Sequence, residues 1–334
     1  MRTGLVRRLG AGLTRQVQNS ADSSLLLLGR MASWQIRSIK AVPSLDKVEF
    51  TVFSQWGEDG IVDWLVERAG IPASLHTFVE FGVESYAEAN TRFLLQNRNW
   101  RGLVMDGSPA QIDLLQKRDG ALYHRYDLTA KSAFVTRENI NELLTESGFS
   151  GEIGLLSIDI DGNDYWVWEA ISVVRPVICI CEYNAVFGDV WPISIPYKQQ
   201  FVRTRPEYSN LYFGASIVAL QHLAIRKGYR FLGTNSEGVN AFFIREDYSS
   251  RFDSLLQSPL AQPSRLRESR DRLGKLSYVR GLQRAALIAS LPVVNTDTME
   301  ETSFGTLKPL YSDIWTGIIA SGSTEAAATT GRSR

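Results

Sequence analysis

The chain has 334 residues, 44 % of them hydrophobic and 22 % charged, an ordinary globular composition for one large domain or two small ones. Its 36 Lys and Arg balance its 36 Asp and Glu, which removes the electrostatic case for a nucleic-acid partner. No apolar run approaches the roughly 18 residues of a membrane-spanning helix. The only cysteines, Cys179 and Cys181, share one face of an apolar run too closely for an ordinary bridge. They read as free core thiols of a reducing, cytoplasmic compartment.

Residues 1–45 form a basic N-terminal extension. Arg2, Arg7, Arg8, Arg15, Arg30, Arg37 and Lys40 face a single acid, Asp22, before Asp46. The apolar run Leu25 to Leu28 is too short for a secretory signal core. Three readings stay open: a surface helix or frayed extension, a basic amphipathic segment making peripheral contact with anionic membrane lipid, and an Arg-rich transit peptide.

A helix is expected over 53–69, capped by Ser54, with Ile61, Trp64, Leu65 and Arg68 at helical spacing. Residues 76–82 read as strand one, 89–96 as its helix and 101–106 as strand two. Strand, glycine turn, helix, strand and terminal acid make the opening unit of a nucleotide-binding α/β sheet. Ser108-Pro109 opens a helix to 118. A third strand is expected at 121–126, ending at Asp127, then a helix over 136–147 stopped by Gly148. Strand four spans 154–160, a helix capped at Asn163-Asp164 runs to 173, and strand five covers 177–181. The connection 185–213 carries Trp191, Tyr197, Arg203, Arg205, Tyr208, Tyr212 and Phe213. It suits a lid stacking on sugar faces and pairing an anion, or a loop burying its own aromatics. A helix at 214–227 and strands 229–233 and 240–245 follow, the pair reading as the antiparallel edge of the sheet. This divides the chain into a catalytic domain at 46–248, a helical C-terminal extension at 249–320 with its main helix over 266–287, and a polar, disordered tail at 321–334.

Two chemical decisions follow from the residues. Gly82 is succeeded by Val83, Glu84, Ser85 and Tyr86, with no second or third glycine, and Glu80 and Glu84 would repel a diphosphate. No P-loop occurs either, so the turn suits a ribose-bearing cofactor without phosphate. Strand four ends in Asp159, Asp161 and Asp164, and strand five in Glu182 and Asn184. In a parallel sheet both tips reach one edge, where gathered carboxylates need a raised pKa or a bound cation. Hard oxygen donors suit Mg²⁺, Mn²⁺ or Ca²⁺ rather than zinc. The plainer alternative is an Asx turn that caps a helix. His222 lies mid-helix and reads as structural; His76 and His124 receive no role.

Glu80-Phe81-Gly82-Val83, with Asp106 after the next strand, resembles motifs I and II of class I S-adenosylmethionine-dependent methyltransferases. SQWGEDG at 54–60, NTRFLL at 90–95, SIDIDGNDYW at 157–166, EYN at 182–184 and GVNAFFIR at 238–245 are together similar to FkbM-type methyltransferases and bacterial relatives, over roughly residues 50–248. The resemblance implies a three-layer α/β Rossmann-like sandwich, with a mostly parallel seven-stranded sheet and an antiparallel edge strand. It implies S-adenosyl-L-methionine as cofactor, with Glu80 and Gly82 near the methionine, Asp106 on the ribose hydroxyls and Asp127 near the adenine. Gln55 and Asp59 would close over the methionine end, and Asn90 and Thr91 would receive its carboxylate. Similarity to metal-dependent O-methyltransferases implies Asp159, Glu182 and Asn184 as ligands of Mg²⁺ or Mn²⁺, with Asp161 a further candidate; Tyr183 separates two ligands that are adjacent in those relatives. The implied activity is O-methylation of a sugar hydroxyl of a glycan or glycan precursor, with Asp159, Asp161 and Glu182 catalytic. A small secondary metabolite, a carboxylate acceptor and a non-catalytic binding relative remain open, as does a C-terminal segment that forms a homo-oligomer.

Overall fold

The structure is a computed structural model that describes residues 22–118 and 120–330. Helix α1 covers 22–37. There follow α2 (Glu58–Ala69), β1 (Thr77–Phe81), α3 (Arg92–Arg98), β2 (Arg101–Asp106), α4 (Pro109–Arg118), α5 (Gly120–Arg125), β3 (Leu128–Ser132), α6 (Ile140–Glu146), β4 (Gly151–Ile158), α7 (Asp164–Ala170) and β5 (Val174–Glu182). Beyond them lie β6 (Ile193–Ser194), α8 (Ile217–Arg226), β7 (Tyr229–Thr234), β8 (Asn240–Arg245), α9 (Asp253–Leu256), α10 (Gln283–Leu287), β9 (Pro292–Asn295), β10 (Glu301–Ser303) and α11 (Asp313–Thr330).

Seven strands form one sheet in the order β3-β2-β1-β4-β5-β8-β7. The first five are parallel, and β8 runs antiparallel to both β5 and β7. This is the expected mostly parallel sheet, with its antiparallel strand one place in from the edge. The inner strands are near-continuous apolar runs because helices cover both faces. Alternation sends Phe78, Val104, Ile178 and Phe242 into a core beneath α2 and α3, and Val79, Phe81, Leu156 and Phe243 into a core beneath α6, α7 and α8. No helix among the described residues is long and apolar enough to cross a membrane.

Several elements differ from expectation. Residues 121–125 are helical, and the third strand is Leu128–Ser132. This edge strand buries little beyond Leu128, so it carries a faint apolar signature, while α5 turns Leu122 into the core. The helix expected over 53–69 starts at Glu58, because Asp59 holds 52–54 as a loop: its Oδ2 accepts the N–H groups of Val52, Phe53 and Ser54 at 2.6–2.8 Å. The helix expected over 266–287 reduces to α10. Helix α11 continues to Thr330, through most of the stretch expected to be disordered.

The C-terminal segment does not stand apart from the catalytic core. β9 pairs with β6, inside the long connection, and with β10. Phe187, Ile193, Ile195, Phe201, Tyr212 and Phe213 from that connection bury against Ala285, Ile288, Val293 and Phe304. Most aromatics of 185–213 thus serve packing, and only part of the loop faces the sheet edge.

Candidate active site

The carboxyl ends of β1, β2, β4 and β5 open on a cavity of about 570 Å³. Its size lies within the range of small-molecule sites. Gly82 leaves β1 at φ +76°, and a Cβ there would lie 1.5 Å from the Asp159 carbonyl oxygen. Only glycine lets the turn after β1 pass the end of β4 so closely.

Two acids beside this turn have different surroundings. Glu80 is buried and faces its own chain: Oε1 accepts Asn90 N–H at 2.8 Å, and Oε2 accepts Thr91 N–H at 3.1 Å and the Thr91 hydroxyl. Burial pushes its pKa up to about 7, against these three donors. Glu80 therefore organises the loop before α3, and the N–H groups of Asn90 and Thr91 are spent on it. The Asn90 side chain itself lines the cavity and donates to Ser157 Oγ at 3.1 Å. Asp106 ends β2, accepting Glu84 N–H at 2.8 Å and Ser108 N–H at 2.7 Å, one on each oxygen. Each oxygen keeps a free lone pair for a ligand in the cavity that it lines.

At the opposite wall, Asp159, Asp161 and Glu182 bring carboxylate oxygens within 4.8 Å of one another. Burial first, then Asp161 and Asp164, push Asp159 well above the usual carboxylate range. Burial and Asp159 do the same to Glu182. Arg203 answers this charge. Its guanidinium donates to Asp161 Oδ1 at 2.7 Å, to Glu268 Oε1 at 2.5 Å and to the Asn210 carbonyl at 2.9 Å, and lies 3.7 Å from the Phe213 ring centroid. Burial opposes its charge, but Glu182, Glu268 and Asp161 outweigh burial and raise its pKa. Glu182 Oε2 and Asn240 Oδ1, on residues paired in register across β5 and β8, are buried acceptors with no donor among the described residues. Nδ2 of Asn240 faces Glu58 Oε1 at 2.9 Å, which sets its amide orientation.

Two expected site residues are misplaced. Asp127 precedes β3 instead of ending it, so it lies at the opposite edge of the sheet, exposed and 3.9 Å from Arg101. Ala133, Phe134 and Val135, which follow β3, line the cavity where Asp127 was expected. Asn184 does not line the cavity: Nδ2 donates to the carbonyls of Leu211 and Phe213, and Oδ1 accepts Val186 N–H. Its side chain is spent on tying 185–213 to the end of β5. Asp164, the first residue of α7, holds the loop before that helix rather than capping it, accepting Ile160 and Gly162 N–H at 2.8 and 2.9 Å. Asp59 turns inward, as described, while Gln55 stands at the rim and donates to Glu88 at 2.8 Å. His222 does not line the cavity; it contacts Asp297 at 2.7 Å.

Sequence reasoning passed over Phe134, Asn240, Phe201, Leu266 and Glu268, all of which line the cavity. Asn240 stands inside the quoted GVNAFFIR motif and could have been singled out. Glu268 comes from a segment with no motif, and only tertiary packing brings it there.

No protein-family model matches the sequence, and no curated protein matches it. Solved structures give remote likenesses. The S-adenosylmethionine-dependent methyltransferase of Clostridium acetobutylicum is 11 % identical, with 56 % of this chain and 90 % of that chain covered and a TM-score of 0.35. The O-methyltransferase of Bacillus cereus, in complex with SAH, is 11 % identical over 67 % and 89 %, with a TM-score of 0.34. The small RNA methyltransferase HEN1 is 14 % identical over 51 % of this chain, which spans only 23 % of HEN1, with a TM-score of 0.33. At these scores the likenesses assign no activity to this chain.

Proposed function

We propose that this chain is an S-adenosylmethionine-dependent O-methyltransferase acting on a hydroxyl of a glycan or glycan precursor. The observation that carries the proposal is that one cavity joins a ribose seat without a phosphate cradle, Gly82 and Asp106, to the carboxyl cluster Asp159, Asp161 and Glu182. The cavity fits the cofactor in size and donor set, since Asp106 keeps an acceptor lone pair on each oxygen for a pair of ribose hydroxyls.

When bound, the cofactor supplies an electrophilic methyl group. The remaining work belongs to the chain. Asp106 orients the ribose, and Phe134 and Phe201 give the cavity wall apolar surface. Displacement at a methyl group needs the acceptor oxygen aligned opposite the sulfur, so positioning carries much of the rate. Asp159 and Glu182 sit where they can hold the acceptor hydroxyl and take its proton. Burial and mutual repulsion raise the affinity of this pair for protons, which strengthens either carboxylate as a base. Asn240 Oδ1 and Glu182 Oε2 are acceptors without a donor among the described residues, which favours a polyhydroxylated acceptor substrate over an anionic one.

The ion implied by the sequence resemblance fits poorly. Of its three ligands, Asn184 is engaged elsewhere, and Asp161, the remaining substitute, is held by Arg203. The guanidinium supplies the countercharge, and no step is assigned to a metal. Turnover is therefore expected to persist in EDTA; loss in chelator with recovery in Mn²⁺ would return an ion to the mechanism. The test of the function itself is calorimetry with S-adenosylhomocysteine, followed by transfer of labelled methyl to polysaccharide acceptors. Binding without transfer to any acceptor would leave a cofactor-binding module, and binding of NADH instead would overturn the cofactor.

A further inference from the structure

Helix α1 docks through a narrow buried strip in which Ile36 is the one large apolar residue. A Cβ on Gly29 would lie 2.4 Å from Val52 Cγ2 and 2.8 Å from the Phe93 ring, so the helix sits close against both. Ser33 donates to Asp63 Oδ2 at 2.6 Å, and Ile36 is buried. These residues stand at i, i+4 and i+7 and define the inner face. Leu27, Met31 and Trp34 have the same spacing, displaced by two residues, about 200° around the helix. They point outward, with Leu28 beside them, and are 61 %, 52 %, 72 % and 60 % exposed. The outer face is thus more apolar than the face that docks, the reverse of an ordinary surface helix.

The charge around this stripe selects what covers it. Asp22, the one acid before Asp46, turns inward to Arg92 at 3.5 Å. Arg30 and Lys40 are exposed. Arg2, Arg7, Arg8 and Arg15 precede the helix in sequence, outside the described residues. A second copy of the chain, docked face to face, would bring two such basic segments together without neutralising either. An anionic bilayer surface complements both the charge and the apolar stripe, and an exposed Trp beside Leu and Met suits the headgroup boundary.

We propose that α1 is a peripheral membrane anchor that lays Leu27, Leu28, Met31 and Trp34 into the surface of an anionic bilayer, with the basic charge of the segment drawn to its headgroups. The inference is independent of the enzymatic reading. The test is co-sedimentation of the full chain with phosphatidylcholine vesicles, with and without phosphatidylglycerol. Binding is expected only to the anionic vesicles, and it should weaken as salt is raised. The variant Leu27→Ser/Met31→Ser/Trp34→Ser should lose at least about tenfold in partition, since each substitution removes a large apolar group from the bilayer. An Arg7→Gln/Arg8→Gln/Arg15→Gln chain, which leaves the described residues unchanged, should also bind less. The proposal is overturned if the chain sediments with neither vesicle, if it binds both equally, or if the serine variant binds as the parent does. Light scattering that shows a dimer dissociated by the serine substitutions, with no vesicle binding, would make the stripe a self-association face and overturn it as well.

Discussion

Glu80 and Asp106 look alike in the sequence, each an acid near the end of an apolar strand, but their hydrogen bonds divide two tasks. Glu80 accepts three donors of the loop before α3, two of them on Oε2, whereas Asp106 accepts one on each oxygen and keeps more capacity for a ligand. Asp106→Ala should weaken S-adenosylhomocysteine by about 1–3 kcal/mol in calorimetry, with little change in KM for the acceptor; unchanged affinity would remove the ribose assignment. Glu80 should be visible in the pH dependence of stability. Its folded pKa of about 7 lies above the ordinary 4.5, so between these values the folded state holds a proton that the unfolded chain has released. Stability then falls as pH rises through that window, by about 3 kcal/mol at full effect. Urea unfolding of Glu80→Gln beside the parent isolates this contribution. The difference between the two curves should shift in favour of the variant as pH rises from 4.5 to 7.

At the scale of elements, β1 and β4 meet at Gly82. An added methyl group would collide with the backbone carbonyl of Asp159, which no rotamer change relieves, and positive φ adds further strain. Gly82→Ala is expected to cost at least about 2 kcal/mol in urea unfolding and to weaken S-adenosylhomocysteine, because the turn can survive only by moving away from β4. A full-strength cofactor site in that variant would show that the close approach is dispensable. The strands most readable in the sequence were β1, β2, β4 and β5, whose burial on both faces leaves near-continuous apolar runs. β3 escaped because an edge strand covered on few sides needs little apolar character, and Asp127 was misassigned with it.

The whole molecule depends on contacts that no local pattern announces. The C-terminal segment pairs β9 with β6, shares a core with 185–213 and lends Glu268 to Arg203. A chain cut to 46–248, the unit that the sequence suggested, would uncover Phe187, Phe201, Tyr212 and Phe213, of which Phe201 lines the cavity. It should lose cooperative thermal unfolding and expose apolar surface to a dye such as ANS; a cooperative, soluble fragment would show the C-terminal segment to be dispensable. The sequence alone determined the layered sheet, the glycine turn, the absence of a phosphate cradle and the gathering of acids at one edge, because each follows from strand period, strand direction and side-chain chemistry. Only the tertiary structure decided which acids face the cavity and which cap a backbone, that Asn184 is engaged and that an arginine from a distant loop balances the carboxylates. Those outcomes depend on where long connections fold back, and residues far apart in the chain leave no periodic trace of the contacts they make.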